Sequence, residues 1–308
     1  MERPIVTFLG PAASFSHQAA VEFFGKSAEL LPRLSFADAF AAVQQGEADY
    51  AIIPCENSTN GSVVQTLDLL ADPNNLYQDV AVCGVHYLTV HHCLLARRGV
   101  CTGQQDYESV AKLYTHPQAW GQCESFLGNY FKGIERQDVS STSRAAEIVS
   151  KGKSEKSAAI ASRFAAELHG LLVLEENIED KNDNRTRFLV LRNIKSKHTA
   201  LHLFRDMNNC TMQELPAYTP VAKKTLVSFM VRQDTPGALA EALLIFKSYG
   251  MNLTSINSRP SRKKTWQYVF LVECQTAGSI GDSRAAIDIL GDLQSVTETC
   301  RHWGTWTE

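Results

Sequence analysis

The chain has 308 residues, 44% of them hydrophobic and 20% charged, which is enough for two or three soluble domains of ordinary size. Its formal net charge of −3 provides no basic field for a phosphate backbone and argues against general nucleic-acid binding. No apolar run is long enough to cross a bilayer, and Met1–Pro4 leads into a short strand rather than a signal peptide, so a cytoplasmic protein with no membrane partner is expected.

Short apolar runs alternate with helical patterns in the first part of the chain. Ile5–Leu9 predicts a strand that ends at Gly10-Pro11 and is followed by a helical pattern. Further along, the sequence predicts a helix over Phe36–Gln45, a strand over Tyr50–Pro54 and a helix over Val63–Leu70. This order indicates an α/β fold with a mostly parallel sheet, in which ligands collect beyond the carboxyl ends of the strands.

The middle of the chain repeats this order before the pattern changes. Apolar runs occur within Val80–Leu95, and Val110–Tyr114 and Ala158–Ala161 predict two more strands. Lys195–Ala222 has no sustained period and is interpreted as a linker. The remaining residues predict elements in the order βαββα, with a final short strand near Val296–Trp303, which forms a split βαβ module.

The cysteines and histidines do not predict a metal site. The eight cysteines show neither Cys-x-x-Cys pairs nor zinc-type spacing, so we expect reduced thiols without a disulfide framework. His86, His91, His92 and Cys93 are close in sequence, but adjacent residues of a strand point to opposite faces and do not converge easily on a metal.

Four polar loops stand at predicted strand-to-helix junctions. They cover residues 10–17, 55–61, 116–122 and 140–143. Helix N-termini present N–H groups and partial positive charge, so together these loops predict an anion-binding cleft. Capping of the helices explains the polar residues of any single loop equally well, and Ser141, Thr142 and Ser143 are all candidate caps.

The run Asn184–Phe188 adds a hydroxyl between two guanidinium groups. Arg185 and Arg187 flank Thr186 where the apolar strand Phe188–Leu191 begins. Arginine binds carboxylates in a bidentate manner, and the β-branched threonine holds its hydroxyl in few rotamers. The run therefore predicts an anion site with a fixed donor, and a solvated loop entering a strand is the alternative.

Several motifs follow one another in a fixed order along the chain. The motifs of the first part are Gly10-Pro11 with Ser14-Phe15-Ser16, Pro54 to Ser58 with Gly61, His116-Pro117-Gln118 with Gln122-Cys123, Ser141-Thr142-Ser143, and Asn184 to Phe188. The motifs of the second part are Pro236-Gly237-Ala238-Leu239 and Ile256-Asn257-Ser258-Arg259-Pro260. In this order the motifs resemble the prephenate dehydratase family over residues 5–192, and the last part of the chain resembles an ACT regulatory domain. Several motifs in the right order are more specific than any one of them.

The resemblance implies two domains. Residues 1–194 would form a two-lobed, periplasmic-binding-protein-like catalytic domain with an inter-lobe cleft, its lobes being about 1–78 plus 175–194 and 79–174. A linker over 195–223 would lead to a ferredoxin-like βαββαβ ACT domain over 224–308.

The resemblance also implies a reaction, the conversion of prephenate to phenylpyruvate, water and carbon dioxide, with no cofactor and no metal. Thr186 would place a proton or hydrogen bond on the leaving hydroxyl, and Glu56 is a second candidate for the acid. Asn57 and Gln122 complete the expected catalytic set. The expected substrate-binding residues are Ser14, Ser58, Gln118, Ser141, Thr142, Ser143, Arg187 and Phe188.

Phenylalanine is the effector that the resemblance implies, bound between paired ACT domains of a homodimer or homotetramer. The expected contact residues are Gly237, Ala238, Leu239, Asn257, Ser258, Arg259 and Pro260, with Asn257 standing where the family usually has glutamate. Two alternatives stay open. One is the same elimination on arogenate, which yields phenylalanine directly, and the other is a noncatalytic amino-acid or anion sensor.

Overall fold

The computed structural model describes residues 3–99, 107–152, 156–196, 199, 223–276 and 283–307. The strands are β1 (Ile5–Leu9), β2 (Glu29–Arg33), β3 (Tyr50–Asn57), β4 (Gly61–Ser62), β5 (Val80–Thr89), β6 (Cys93–Ala96), β7 (Lys112–Thr115), β8 (Glu135–Asp138), β9 (Ser157–Ala161), β10 (Leu172–Glu175), β11 (Arg185–Asn193), β12 (Lys223–Val231), β13 (Met251–Pro260), β14 (Tyr268–Thr276) and β15 (Thr297–Thr307). The helices are α1 (Phe15–Phe24), α2 (Phe36–Gln44), α3 (Val64–Ala71), α4 (Pro117–Trp120), α5 (Glu124–Tyr130), α6 (Thr142–Lys151), α7 (Arg163–His169), α8 (Ala238–Ser248) and α9 (Ser283–Val296), with a 3-10 helix at Gly25–Ser27.

The first lobe is built on a sheet with the strand order β2-β1-β3-β11-β5, to which β4 adds as a hairpin partner of β3. Strands β1, β2 and β3 are parallel, whereas β11 runs antiparallel to both β3 and β5. Because β5 pairs with β11 along its whole length, it belongs to the first lobe. The expected lobe boundary at residue 79 is therefore placed too early, and the chain enters the second lobe only after Thr89.

The second lobe has its own sheet, with the strand order β10-β6-β9-β7-β8. Two chain segments join the lobes, one between β5 and β6 and one between β10 and β11. Hydrogen bonds hold these segments together, since Ile178 N donates to His92 O at 2.9 Å and His92 N donates to Glu179 Oε2 at 2.8 Å. The two crossings define a hinge with a cleft beside it.

The C-terminal module forms a four-stranded antiparallel sheet in the order β13-β14-β12-β15. Helices α8 and α9 cover one face, where Phe229, Phe246 and Val272 are buried. This is the predicted βαββαβ arrangement, so the expected fold class is confirmed. The last strand is longer than expected because it continues past Trp303 to Thr307. Most of the predicted linker lies outside the described residues.

The other face of this sheet packs directly against the first lobe. Trp303, Trp306 and Leu271 share a buried cluster with Leu70 of α3 and Leu189 of β11. Burial of several large apolar side chains makes this contact a continuation of the lobe's core rather than a loose association. Across the described ranges, no helix combines the length and the apolar character that crossing a membrane requires.

Gly304 is the closest point of this contact. Its φ of 152° is positive, and a Cβ atom there would lie 1.9 Å from Val82 O of β5. We predict that Gly304→Ala lowers the free energy of unfolding by about 2 kcal/mol or more, because both backbones must shift. Thermal denaturation measures this, with Gly128→Ala as the control, since a Cβ at Gly128 meets nothing within 4 Å. Equal melting temperatures of the two variants would contradict the prediction.

Candidate active site

Thr186 and Asn57 face each other across the paired strands β11 and β3. The side-chain amide of Asn57 donates to Thr186 Oγ1 at 3.0 Å and to Asn184 Oδ1 at 2.9 Å. The oxygen Oδ1 of Asn57 accepts from the backbone N–H groups of Thr59 and Asn60, at 3.0 and 2.9 Å. Because those N–H groups require an acceptor, they determine which end of the Asn57 amide faces Thr186.

This orientation makes the Thr186 hydroxyl a fixed donor. Its oxygen accepts a hydrogen bond from Asn57, and among the described residues no group accepts its proton. The side chain lies on the face of β11 that carries Phe188 and Val190, which pack with residues of α1. Since Thr186 is half-buried at the end of that face, its proton can be donated to a ligand in the cleft.

Ser58 and Asn184 hold the ends of β3 and β11 together. Ser58 N donates to Arg185 O and Ser58 Oγ accepts from Arg185 N, both at 2.8 Å. Asn184 is 3% exposed, and its Oδ1 accepts from both Asn57 and Ser58. Buried amides with satisfied partners hold one geometry, so Ser58 acts here on the strand ends. Residues 55–61 thus continue β3 and turn into β4, and the expected strand-to-helix junction there is wrong.

Arg187 and Glu56 lie on the opposite face of the same strands. Adjacent residues of a strand point to opposite sides, so the Arg187 guanidinium points away from the Thr186 hydroxyl. It contacts Glu56 Oε2 at 3.1 Å and Glu273 Oε2 of the C-terminal module at 2.6 Å. The expectation that Arg187 holds the substrate carboxylate and that Glu56 supplies the proton does not fit this placement.

Phe188 belongs to the core of the first lobe rather than to the cleft. It is 1% exposed and packs with Phe8, Phe24 and Tyr50. Its expected role as a substrate contact is therefore replaced by a packing role. An apolar residue beside a reactive one gives the same sequence pattern in either case.

The serines of the other loops act mainly as caps. Ser14 caps α1 by accepting from His17 N, and its hydroxyl donates to Leu9 O. Ser141 caps α6 by accepting from Arg144 N, which resolves the three alternatives for that cap. The buried Ser143 hydroxyl donates to Ala12 O and so ties α6 to the loop that precedes α1.

Thr142 and Gln118 remain available for a ligand. Thr142 is the first residue of α6, where unpaired backbone N–H groups favour an anion. Gln118 lies on the surface in the first turn of α4. Neither side chain takes part in a described hydrogen bond.

His92 contacts Gln122, one of the predicted site residues, and the sequence pattern did not reveal this contact. Its ring Nε2–H donates to Gln122 Oε1 at 2.7 Å, which orients the Gln122 amide, and its ring packs edge-on against Phe15. The ring nitrogen Nδ1 is buried without a described partner. Burial lowers the pKa of His92 below its usual value, so the neutral ring holds Gln122. In sequence, His92 resembled an incidental strand histidine.

The expected effector residues fall into two groups. Gly237 has a φ of 84° and precedes α8, so this turn requires glycine. Asn257 and Arg259 face the first lobe, where Asn257 Oδ1 accepts from Ser62 and Arg259 pairs with Asp68. Ser258 points the other way along β13 and is exposed. Asn257 and Arg259 thus serve the contact between the domains.

The chain forms two α/β lobes that are joined by two crossings, and a fixed hydroxyl donor and oriented amides lie beside the cleft. These features are typical of a protein that binds a small polar ligand between its lobes. Among the described residues, no three His, Cys, Asp or Glu side chains are grouped so as to hold a metal ion. The family model described as prephenate dehydratase matches residues 6–196, and the chain belongs to this family.

Individual relatives are similar to this chain over most of its length. A bifunctional chorismate mutase/prephenate dehydratase of Aquifex aeolicus is 38% identical over 88% of this chain, which spans 65% of that protein's length. The prephenate dehydratase of Arthrobacter aurescens in complex with L-Phe is similar, with a TM-score of 0.78, 30% identity and coverage of 99% of this chain and 90% of that chain. GqqA, described as a novel type of quorum quenching acylase, has a TM-score of 0.77 and 27% identity over 98% of this chain and 97% of its own.

The His92–Gln122 bond generates a prediction about pH. The folded-state pKa of His92 lies below 6.5, so the unfolded chain binds a proton on this ring more readily than the folded chain does. The contribution of the neutral His92 to the free energy of unfolding is therefore fully present above pH 6.5, and it is lost as the pH falls through the folded-state pKa. His92→Gln keeps a donor for Gln122 but does not titrate. We expect its melting temperature to fall less between pH 7.5 and pH 5 than that of the parent protein. Parallel curves would contradict the prediction, since the other histidines are common to both proteins.

Proposed function

We propose that this protein catalyses the decarboxylating dehydration of prephenate to phenylpyruvate. The observation that carries the proposal is the Thr186 hydroxyl, held by Asn57 with its proton free to point into the cleft. The family to which the chain belongs supports the choice of reaction. Family and geometry together favour a lyase over the noncatalytic sensor, because binding alone requires no oriented proton donor.

The chemistry of the reaction fits the neutral character of this site. The bond between the ring and its carboxylate breaks, its electron pair enters the ring, and the hydroxyl leaves from the opposite ring carbon as water after taking up a proton. Aromatisation of the ring drives both steps. Thr186 is a poor acid as a free alcohol, so it acts as an oriented donor that stabilises charge developing on the leaving oxygen.

The ring carboxylate requires a weakly stabilising environment. A guanidinium paired with that carboxylate would stabilise the ground state and slow the loss of carbon dioxide. Because Arg187 is turned away toward Glu56 and Glu273, it does not impose this cost. The carboxylate of the pyruvyl side chain would instead be held by the N-terminal N–H groups of α6 and by Thr142, with Gln122 and Gln118 orienting the substrate.

Product identification separates this function from its alternatives. The purified protein would be supplied with prephenate, with arogenate and with an N-acylated amino-acid derivative, and each product would be identified. Phenylpyruvate from prephenate supports the proposal, whereas phenylalanine from arogenate alone changes the substrate and keeps the chemistry. Release of an acyl group alone would assign the activity described for GqqA, and tight binding without turnover would indicate a sensor.

Substitution of Thr186 tests its role directly. We predict that Thr186→Val, which removes the hydroxyl and keeps the side-chain shape, lowers kcat by about 100-fold or more while KM changes little. Thr186→Ser is the matched variant and should keep much of the activity, because Asn57 can still donate to a serine hydroxyl. Comparable losses in kcat and in substrate affinity would make Thr186 a binding residue instead.

Phenylalanine is proposed as the effector of the C-terminal module, with the L-Phe complex of the Arthrobacter aurescens relative as support. The turn at Gly237–Leu239 and the exposed Ser258 are the proposed contacts. We also propose a homodimer or homotetramer, and a reducing compartment such as the cytoplasm, which suits the free thiols of the six described cysteines.

Ser258 provides a clean test of the effector site, since alanine at Gly237 would strain a turn with positive φ for reasons unrelated to a ligand. We predict that Ser258→Ala raises the phenylalanine concentration needed for half inhibition by about 5-fold or more, with uninhibited kcat unchanged. Asn252→Ala, another exposed position of β13, is the control. Unchanged inhibition in both variants would remove Ser258 from the site.

A further inference from the structure

A buried carboxylate of the C-terminal module reaches the strand that carries Thr186. The side chain of Glu273 on β14 is 5% exposed and faces β11 across the contact between the domains. Its Oε2 lies 2.6 Å from Arg187 Nη1, while its Oε1 accepts from the Thr254 hydroxyl at 2.9 Å and lies 3.5 Å from Lys224 Nζ. A carboxylate with this many partners has one orientation.

Arg187 joins this carboxylate to the paired strands β3 and β11, which carry Asn57 and Thr186. One nitrogen of its guanidinium contacts Glu273, and the other contacts Glu56 on β3. Its backbone carbonyl accepts from the buried Cys55 thiol at 3.3 Å, next to the register shift between β3 and β11. The Arg187 guanidinium therefore contacts both domains, and these contacts fix the position of the residue next to Thr186.

The shared strand turns this ion pair into a positional constraint. Thr186 and Arg187 project to opposite faces of β11, so a twist of the strand that moves one side chain displaces the other. A shift of about 1 Å in a catalytic group can lower turnover by about 100-fold. Thr186 has its hydrogen-bond partner on one side of β11, and Arg187 provides the anchor on the other side.

We propose that Glu273 is a positioning residue for the reaction, acting through Arg187 to hold the Thr186 hydroxyl. The C-terminal module then completes the catalytic site even without an effector. This inference rests on the proposed function for its kinetic consequences, but the structural constraint does not depend on which substrate is used.

Other ion pairs between the domains provide a comparison. Asp68 on α3 pairs with Arg259 and Arg262 of the C-terminal module. These pairs dock the same two units but involve no residue of β3 or β11. If Glu273 only helped to dock the module, loss of either carboxylate would have the same effect on turnover.

The test compares Glu273→Gln with Asp68→Asn in the whole 308-residue chain. We expect Glu273→Gln to lower kcat for prephenate by about 10-fold or more with a small change in KM, and Asp68→Asn to leave kcat within about two-fold. In a Thr186→Val background, Glu273→Gln should cause little further loss, because the two residues act as one unit. Equal effects of Glu273→Gln and Asp68→Asn, or independent losses in the double variant, would overturn the proposal.

Hydrogen exchange gives a readout that does not depend on activity. Backbone amides of residues 185–188 should exchange faster in Glu273→Gln than in the parent protein and in Asp68→Asn, and unchanged exchange would overturn the proposal. Should Glu273→Gln fail to fold, Thr254→Val removes one donor to Glu273 and should shift exchange and kcat in the same direction to a smaller degree. Failure of the proposed function is distinct, since it shows as absent turnover of prephenate by the parent protein.

Discussion

The antiparallel pairing of β3 with β11 is the constraint on which the rest of the structure depends. It brings Asn57 opposite Thr186 although the two residues are 129 positions apart in the chain. It also completes the sheet of the first lobe, because the chain returns from the second lobe and β11 lies between β3 and β5. The contact between Asn57 and Thr186 and the two-lobed architecture therefore arise from the same set of backbone hydrogen bonds.

The alternation of side chains along these two strands separates chemistry from docking. One face carries the Thr186 hydroxyl beside the Asn57 amide, next to the core that contains Phe188 and Val190. The other face carries Arg187 and Leu189, against which the C-terminal module packs with its helix-free surface. The effector binding proposed for that module would thus influence the cleft through a few side chains of one strand, with no long chain of contacts.

Local sequence signals predicted much of this arrangement. The bounds of β1 agree with the apolar run Ile5–Leu9, and α2 begins at Phe36 as predicted and ends at Gln44, one residue before the predicted end. By contrast, β8 carries no apolar residue and is exposed throughout, so it has no alternation to detect. The apolar runs within Val80–Leu95 form β5 and β6, which lie in different lobes, and the sequence did not reveal this separation because strand pairing over long distances is not encoded in local periodicity.

By itself, the sequence determined the α/β class, the split βαβ module and the family, and it predicted site roles for Thr186, Asn57 and Gln122, because these depend on residue type, local period and motif order. Only the tertiary structure decided that Arg187 and Glu56 bind each other on the far face, that Phe188 is core, and that His92 orients Gln122. The physical reason is that a side chain's partner depends on which elements meet across space. Strand alternation places Arg185 and Arg187 together on the face opposite Thr186, but only the pairing of β11 with β3 and the packing of the C-terminal module decide which groups Arg187 contacts.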